Sequence, residues 1–508
     1  MKTKSNPIWG HLGAFAAASL ITLAMAPFNL WPFTLLAPSL LFLLLQGLSP
    51  LQAALRGWFF GLGLFATGAS WVYVSIHVHG NTPVALALVM TAAFVSGLAL
   101  FFALHGWIWR RWIANRWWLL SWPALWVLME AFRSWFLTGF PWLLLGNAHL
   151  DSPFSGWAPI LGVYGLSGLS ALTGLLLLYA LYPQGMSQQT QKPRWQPLIK
   201  GQTLAFILAL TVTISGLPLA TLEWTQKKGE PLSVALIQGN IPQQDKWNPA
   251  KRQQIIQTYL DLSAQAGSVD LLIWPETALP LTPTQAQPFL NEAVTTAGPE
   301  AALITGLASR VPDQPQFYNS LITAGQASGD YHKVKLVPFG EYLPLEGWLR
   351  GLINFFDLPM SNFIPGPDHP ASLEVGATRA APLICYEVAY PDFSARQAAS
   401  THWLVTVSND SWFGRSLGPL QHYQIARFRA LETGRELARA TNNGITAVID
   451  HRGQVKAELE QFSTDLLLAK IQPREGQTPF MRWGSWPLLI CCLLLMAWIT
   501  QPKKRKTH

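Results

Sequence analysis

Ala380-Ala381-Pro382-Leu383-Ile384-Cys385-Tyr386-Glu387 is a short apolar run that stops at a thiol and a carboxylate. A run of this length with polar ends reads as a buried strand. Similar runs stand at 233–237, 269–274, 302–306, 320–324, 403–408 and 445–450, with helix-length segments at 249–265, 284–296 and 420–439. Buried strands alternating with helices predict an α/β sandwich, and such folds build their sites at strand ends. Three strand ends matter here: Trp274-Pro275-Glu276, Tyr331-His332-Lys333 and Leu383-Ile384-Cys385. A thiol nucleophile needs a base, and acyl transfer needs a positive group beside the oxyanion. Glu276, Lys333 and Cys385 supply all three without a histidine. Each has a plainer reading as well, since a free cysteine is usually a small buried hydrophobe and an exposed Glu or Lys is usually solvated. Lys335 competes with Lys333 for the role of the positive group.

The surrounding chain is polarised. Residues 1–221 carry ten basic and two acidic side chains, Glu130 and Asp151, and the remaining acidic residues all lie in 222–482. Eight apolar segments, at 9–27, 31–47, 53–77, 84–109, 117–135, 156–182, 201–221 and 484–500, each approach the ~20 residues of a spanning helix. The expected organisation is transmembrane helices 1–7 over 1–221, a water-facing domain over 222–482, and a final span with a basic tail over 483–508. Glu130 and Arg133, three apart, either pair on one helix face or mark a site inside the membrane. Lys2, Lys4, Arg56, Arg110, Arg111, Arg116, Lys192, Arg194, Lys200 and Lys503-Lys504-Arg505-Lys506 fall on one side of eight spans, which makes that side cytoplasmic and the domain 222–482 periplasmic. The net charge of +8 is then a topology signal, not a nucleic-acid surface. The first segment reads as a retained span and not a cleaved signal. Tryptophans such as Trp107, Trp109, Trp112, Trp117 and Trp118 form an interfacial belt. Gly139-Phe140-Pro141-Trp142 forms either a lipid passage or a helix-ending turn. Of the three cysteines only Cys385 lies in the exported domain, so no disulfide forms there and the thiol stays free in an oxidising compartment.

The ordered set Trp274-Pro275-Glu276, Tyr331-His332-Lys333 and Cys385-Tyr386-Glu387 resembles the nitrilase superfamily. Longer runs resemble its membrane-embedded branch, the bacterial apolipoprotein N-acyltransferases. They are Gln238-Gly239-Asn240-Ile241, Leu336-Val337-Pro338-Phe339-Gly340-Glu341-Tyr342-Leu343-Pro344, Ser408-Asn409-Asp410-Ser411-Trp412-Phe413-Gly414, Gly418-Pro419-Leu420-Gln421-His422 and Arg439-Ala440-Thr441-Asn442-Asn443-Gly444-Ile445-Thr446. The resemblance covers the whole chain and implies an αββα nitrilase-like sandwich joined to about eight transmembrane helices. It implies Glu276 as general base, Lys333 as oxyanion stabiliser and Cys385 as the nucleophile that becomes a thioester. Glu341, Glu387 and Tyr386 are supporting residues, while Trp247, Asn319 and Arg350 are substrate or loop residues, Arg350 suiting a lipid phosphate. The implied acyl donor is a phospholipid, and the acceptor is the N-terminal amine of a diacylglyceryl-modified apolipoprotein at the bacterial inner membrane. His332 and His422 read as structural or lining residues. No CxxC or HExxH spacing argues for a metal and no phosphate-binding loop for a nucleotide, so no cofactor is expected. Two other classes stay open: an exported nitrilase-like hydrolase with a membrane anchor, and a binding protein on an inactive nitrilase fold.

Overall fold

Each of the eight apolar segments holds a helix in the computed structural model, which describes residues 7–114, 117–183, 198–342 and 362–501. The helices are Pro7–Ala24, Phe33–Leu44, Pro50–Gly68, Val84–Ile108, Trp118–Arg133, Ala158–Leu181, Leu198–Ile214 and Trp486–Thr500. Pro50 at the first turn and a Ser49–Gln52 capping box start the third of these, satisfying amides that would otherwise lack partners. Its glycines allow backbones to meet: a Cβ on Gly57 would stand 2.0 Å from the Phe102 carbonyl oxygen, and one on Gly63 2.1 Å from that of Phe15. Small residues at such crossings are how helices pack in lipid.

Among the described residues, three helical stretches are long and apolar enough to cross a membrane: Val84–Ile113, Ser155–Leu181 and Gly201–Ala220. A fourth joins them if the bent pair Pro50–Gly68 and Val72–His79 is one span. Ile8–Ala24, Phe33–Leu44 and Trp486–Thr500 are apolar but shorter; at ~1.5 Å per residue, Phe33–Leu44 reaches roughly 18 Å of a ~30 Å hydrocarbon core. Within Trp118–Arg133, Glu130 Oε1 accepts from Trp126 Nε1 and the Leu145 amide, both at 3.0 Å. Arg133 Nη1 donates to the carbonyls of Phe140 (2.9 Å) and Trp142 (2.6 Å). Both charges therefore serve the irregular backbone that follows the helix, to which Phe140, Trp142 and Leu145 belong.

The chain divides into two units. One comprises Met1–Val72, Ala85–Leu222 and Ser485–His508; the other comprises Glu223–Gly484 together with the short segment Tyr73–Val84. In the second unit, seven strands run in the order Val455–Glu458, Ala447–Ile449, Leu437–Thr441, Trp403–Ser408, Thr378–Ile384, Leu373–Val375 and Ala327–Ser328. Six more run in the order Asp465–Ile471, Leu232–Gln238, Leu271–Ile273, Ala302–Arg310, Phe317–Gly325 and Tyr331–His332. Thr378–Ile384, Trp403–Ser408 and Leu437–Thr441 run parallel in the first sheet, and Leu232–Gln238, Leu271–Ile273 and Ala302–Arg310 in the second, so within each set the C-terminal ends lie side by side, whereas Phe317–Gly325 and Tyr331–His332 are added antiparallel. Helices Arg252–Gln265 and Pro283–Ala297 cover the six-stranded sheet with a core of Ile237, Tyr259, Leu272, Trp274, Leu290 and Leu303. Helices Pro391–Ala398 and Leu417–Thr433 cover the other, giving four layers.

The expected helix 420–439 is corrected. It ends at Thr433 because Gly434 adopts a left-handed φ of 59°, the usual stop for a helix. Residues 437–441 then run as a strand parallel to Trp403–Ser408. The strands Leu373–Val375 and Val455–Glu458 have three and four residues, too few for a periodicity to be read, and the seven-residue strand Asp465–Ile471 is not among the expected runs either.

Candidate active site

The strand Thr378–Ile384 delivers Cys385 at its C-terminal end, in a sharp turn with φ of 52°. A side chain with this backbone costs about 1–2 kcal/mol, a strain the surrounding contacts must hold. Glu387, two residues on, holds it. Its fully buried carboxylate accepts from the Ile384 amide at 2.7 Å, and from the Val334 and Lys335 amides and the Tyr331 hydroxyl at 2.7, 3.1 and 2.6 Å. Glu387 therefore ties the Cys385 turn to the segment that carries Lys333. Burial pushes its pKa up to about 7, against the pull of those donors. Tyr386 is buried edge-on against the Tyr390 ring, 5.3 Å between centroids.

Lys333 follows the short strand Tyr331–His332 and is 1% exposed. Its Nζ lies 2.9 Å from Glu341 Oε2 and 3.5 Å from Glu276 Oε1. Burial acts to neutralise this ammonium, but the two carboxylates outweigh it and hold its pKa above the ordinary lysine range. Lys335 instead places its Nζ 6.0 Å from the Tyr390 ring and 5.8 Å from that of Phe393, away from both carboxylates. Glu276 stands just beyond Leu271–Ile273, its Oε2 accepting from the Asn409 amide at 2.8 Å. Asn319 Nδ2 donates to Glu276 Oε1 and to Glu341 Oε1, each at 2.8 Å, and Glu341 Oε2 accepts from the Val337 amide at 2.8 Å. Burial, then the Glu276 carboxylate, push the Cys385 thiol up, while Lys333 pulls it down. The resting group is a thiol beside a base and a cation, arranged to be deprotonated when needed.

Glu276, Lys333, Cys385, Glu341, Asn319, Glu387 and Tyr386 are thus gathered in one place. Asn319 is corrected from a loop position to the strand Phe317–Gly325; it is buried because it bridges two carboxylates. Trp247 stands on a turn and is 44% exposed. Arg350 lies outside the described residues. His332 stacks on Tyr318 at 4.3 Å and bonds Ser320. His422 lies closer to the chemistry, with Nε2 donating to the Cys385 carbonyl at 3.1 Å.

Residues 17–176 match the family described as Apolipoprotein N-acyltransferase N-terminal domain, and residues 233–479 match the Carbon-nitrogen hydrolase family. The chain is 45% identical to the Apolipoprotein N-acyltransferase of Pseudomonas syringae pv. tomato over 98% of each chain. It is 44% identical to that of Pseudomonas aeruginosa over 98% of this chain and 97% of the relative. The chain belongs to the apolipoprotein N-acyltransferase family. The Vibrio vulnificus protein of the same name is 40% identical over 98% of this chain and 97% of its own. Among solved structures, a CN-hydrolase superfamily protein from Xanthomonas campestris is 19% identical, covering 52% of this chain and 97% of its own, with a TM-score of 0.37. The fold assignment rests on the family match: a nitrilase-like domain with a helical N-terminal region holding a few apolar helices.

Sequence reasoning singled out neither Lys246 nor Ser408, Asp410 and Arg439 beneath the thiol. Lys246 is 2% exposed and its Nζ donates to the Glu276 carbonyl at 3.1 Å; burial lowers its pKa to about 8, with Glu276 opposing. Its only signal was its place beside Trp247. Beneath Cys385, the Ser408 hydroxyl lies 3.5 Å from Sγ and 2.5 Å from Asp410 Oδ1. Asp410 is in turn paired with His422 Nδ1 at 3.0 Å and Arg439 Nη2 at 2.8 Å. Ser408, Asp410 and Arg439 lie within runs that resemble the family, but without a fold nothing distinguished them from their neighbours.

Proposed function

We propose that this protein transfers an acyl chain from a phospholipid to the α-amino group of the N-terminal S-diacylglyceryl-cysteine of apolipoproteins, through a thioester on Cys385. The observation that carries the reading is the buried meeting of Glu276, Lys333 and Cys385 in a chain that matches its relatives from end to end.

In the first half-reaction Glu276 takes the thiol proton and the Cys385 sulfur attacks the ester carbonyl carbon. Lys333 faces the oxygen that becomes negative. The ester C–O bond breaks, Glu276 returns the proton to the departing alkoxide, and a lysophospholipid leaves. In the second half the neutral α-amine attacks the thioester carbon and gives its proton to Glu276. The C–S bond breaks, an amide forms, and the proton goes back to the thiolate. Glu341 and Asn319 keep Lys333 and Glu276 in place through both halves.

Both substrates are lipid-anchored, which explains why a nitrilase-like domain carries so many apolar helices. Eight spans, the domain 222–482 facing the periplasm and the tail in the cytoplasm of an inner membrane complete the reading. Its support is the presence of a helix in each of the eight apolar segments and the one-sided placement of the basic residues. Incubation with acyl-labelled phospholipid should leave a hydroxylamine-sensitive label on the wild type and release lysophospholipid, with Cys385→Ala doing neither. Label that persists on Cys385→Ala sinks the nucleophile assignment. Lysophospholipid release at full rate without any amine acceptor points instead to an anchored hydrolase.

A further inference from the structure

The thiol has a second set of neighbours that the two half-reactions above leave unused. Ser408 ends the strand beside the one that carries Cys385, and it is fully buried. Its hydroxyl has one hydrogen and two claimants: Asp410 Oδ1 at 2.5 Å and Cys385 Sγ at 3.5 Å. Asp410 does not depend on that hydrogen. Arg439 donates to its Oδ2 at 2.8 Å, and His422 Nδ1 lies 3.0 Å from its Oδ1. Its pKa is held well below the ordinary carboxylate range, burial being outweighed by Arg439 and His422, so it remains an acceptor throughout. His422 is constrained on its far side as well. The Cys385 carbonyl oxygen only accepts, so Nε2, 3.1 Å away, must carry a hydrogen. Nδ1 then either accepts from Arg439 Nη2 at 3.2 Å or, in the imidazolium, donates to Asp410. Either way the ring fixes the carbonyl of a residue whose φ is positive.

We propose that Ser408 is a positioning residue for the nucleophile, its hydroxyl resting on Asp410 while Cys385 is a thiol and turning to donate to the sulfur when the thiolate forms, with His422 and Arg439 holding Asp410 and the Cys385 turn still. No proton changes owner in this turn, and Asp410 keeps its Arg439 partner. The sulfur gains a donor at the moment it gains charge, from its own sheet and not from the sheet that leads to Lys333. A hydrogen bond to a charged group is the stronger kind, and a donor that needs no solvent reorganisation is what a buried anion requires. The charged and titratable groups around the sulfur are Glu276 and Lys333 from the facing sheet, with Glu341 and Lys246 behind them. From its own sheet come Asp410, Arg439 and His422, and Glu387 follows in the chain. The proposal rests on Cys385 being the nucleophile.

Full-length enzyme in detergent is alkylated with iodoacetamide across a pH series, modification being read at the Cys385 peptide by mass spectrometry so that Cys491 and Cys492 do not interfere. Ser408→Ala should move the midpoint of Cys385 alkylation up by about one to two pH units and lower kcat for acyl transfer by about 10–100-fold, with KM for the phospholipid unchanged. Ser408→Thr, which keeps a hydroxyl, should restore most of both. A wild-type midpoint in Ser408→Ala overturns the proposal, whether kcat holds or falls together with thermal stability. A Ser408→Thr variant as impaired as Ser408→Ala while equally folded overturns it too. If Cys385 alkylation leaves transfer intact, the nucleophile reading itself fails, a result distinct from an unmoved midpoint.

Discussion

Lys333→Met should be far more damaging than Lys335→Met, and the two environments give the margin. Lys333 is 1% exposed and lies between two buried carboxylates, 2.9 Å from Glu341 and 3.5 Å from Glu276. Removing one partner of a buried ion pair costs about 3–5 kcal/mol, because the remaining charge is left without compensation. Asn319 and the amides of Asn409 and Val337, all neutral donors, would then be left to serve the two carboxylates. The catalytic loss adds to this, since deleting one oxyanion-stabilising group lowers the rate by roughly 10²–10³. Lys335 is half-buried, its Nζ 6.0 and 5.8 Å from the centroids of two aromatic rings, an arrangement worth at most about 0.5–1 kcal/mol. Lys333→Met should therefore melt several degrees lower in detergent and transfer acyl chains at least about 10²-fold more slowly than Lys335→Met. The assay is lysophospholipid release and acylation of a diacylglyceryl lipopeptide, run beside thermal melting. The pKa of Lys333 is raised in the folded protein. Its stabilisation is thus fully present below the unfolded lysine pKa of ~10.4 and is lost only as pH rises through the higher folded value. The difference in melting temperature between wild type and Lys333→Met should be flat from pH 6 to 9. A larger defect in Lys335→Met, or a difference that shrinks between pH 7 and 9, would refute this assignment.

A Cβ on Gly306 would stand 2.6 Å from the Glu276 Cα and 2.6 Å from the Thr277 amide nitrogen, so Gly306→Ala should displace the base and lower transfer by at least about tenfold; an unchanged rate would show that the Glu276 backbone tolerates movement. Lys246 behaves oppositely to Lys333, because burial lowers its folded pKa from 10.5 to about 8. Between those values the unfolded chain binds more protons, so stability rises with pH. Lys246→Met should gain most on wild type near pH 7, by up to about 3 kcal/mol less the lost bond to the Glu276 carbonyl, and the gap should narrow as pH passes 8 to 10; a constant gap would mean the amine is not strained by burial. A reporter fused within 222–482 should read periplasmic and one fused after Lys506 cytoplasmic, and a result placing both on one side would require an odd change in span number.

The strand ends were legible because chemistry and hydrophobic pattern coincide there: the apolar run into Cys385 and the run into Glu276 both stop at a functional group. Trp403–Ser408 matches its expected bounds for the same reason. Residues 437–441 were not legible as a strand. Arg435, Glu436 and Arg439 look like the polar face of a continuing helix, and only the fold reveals that Arg439 is buried against Asp410 and that Gly434 breaks the helix. Asn319 was likewise unreadable as a bridge, because its two carboxylate partners lie 43 and 22 residues away. Lys246 shows the same limit. A lysine beside an exposed tryptophan looks solvated until the close approach of the Glu276 carbonyl is known. Local pattern reports which residues are buried or exposed on a regular element, whereas pairing between distant buried charges depends on sheet order, and the sequence pattern does not encode that order.

The segment Tyr73–Val84 bears on what kind of enzyme this is. It lies between two apolar helices of the N-terminal half, yet it belongs to the nitrilase-like unit. There the Ser75 hydroxyl donates to the Trp412 carbonyl at 2.7 Å, the His79 ring meets the Trp412 ring edge-on at 5.4 Å, and Val74 sits so close to Gly414 that a Cβ there would lie 3.1 Å from it. Trp412 and Gly414 lie on the loop that begins at Asn409, whose amide holds the Glu276 carboxylate, and that continues through Asp410 under the thiol. A simple membrane anchor would have no reason to supply side chains to this loop. Ser75, His79 and Val74 brace the loop whose Asn409 amide holds the Glu276 carboxylate, although they come from a segment that the chain inserts between two apolar helices.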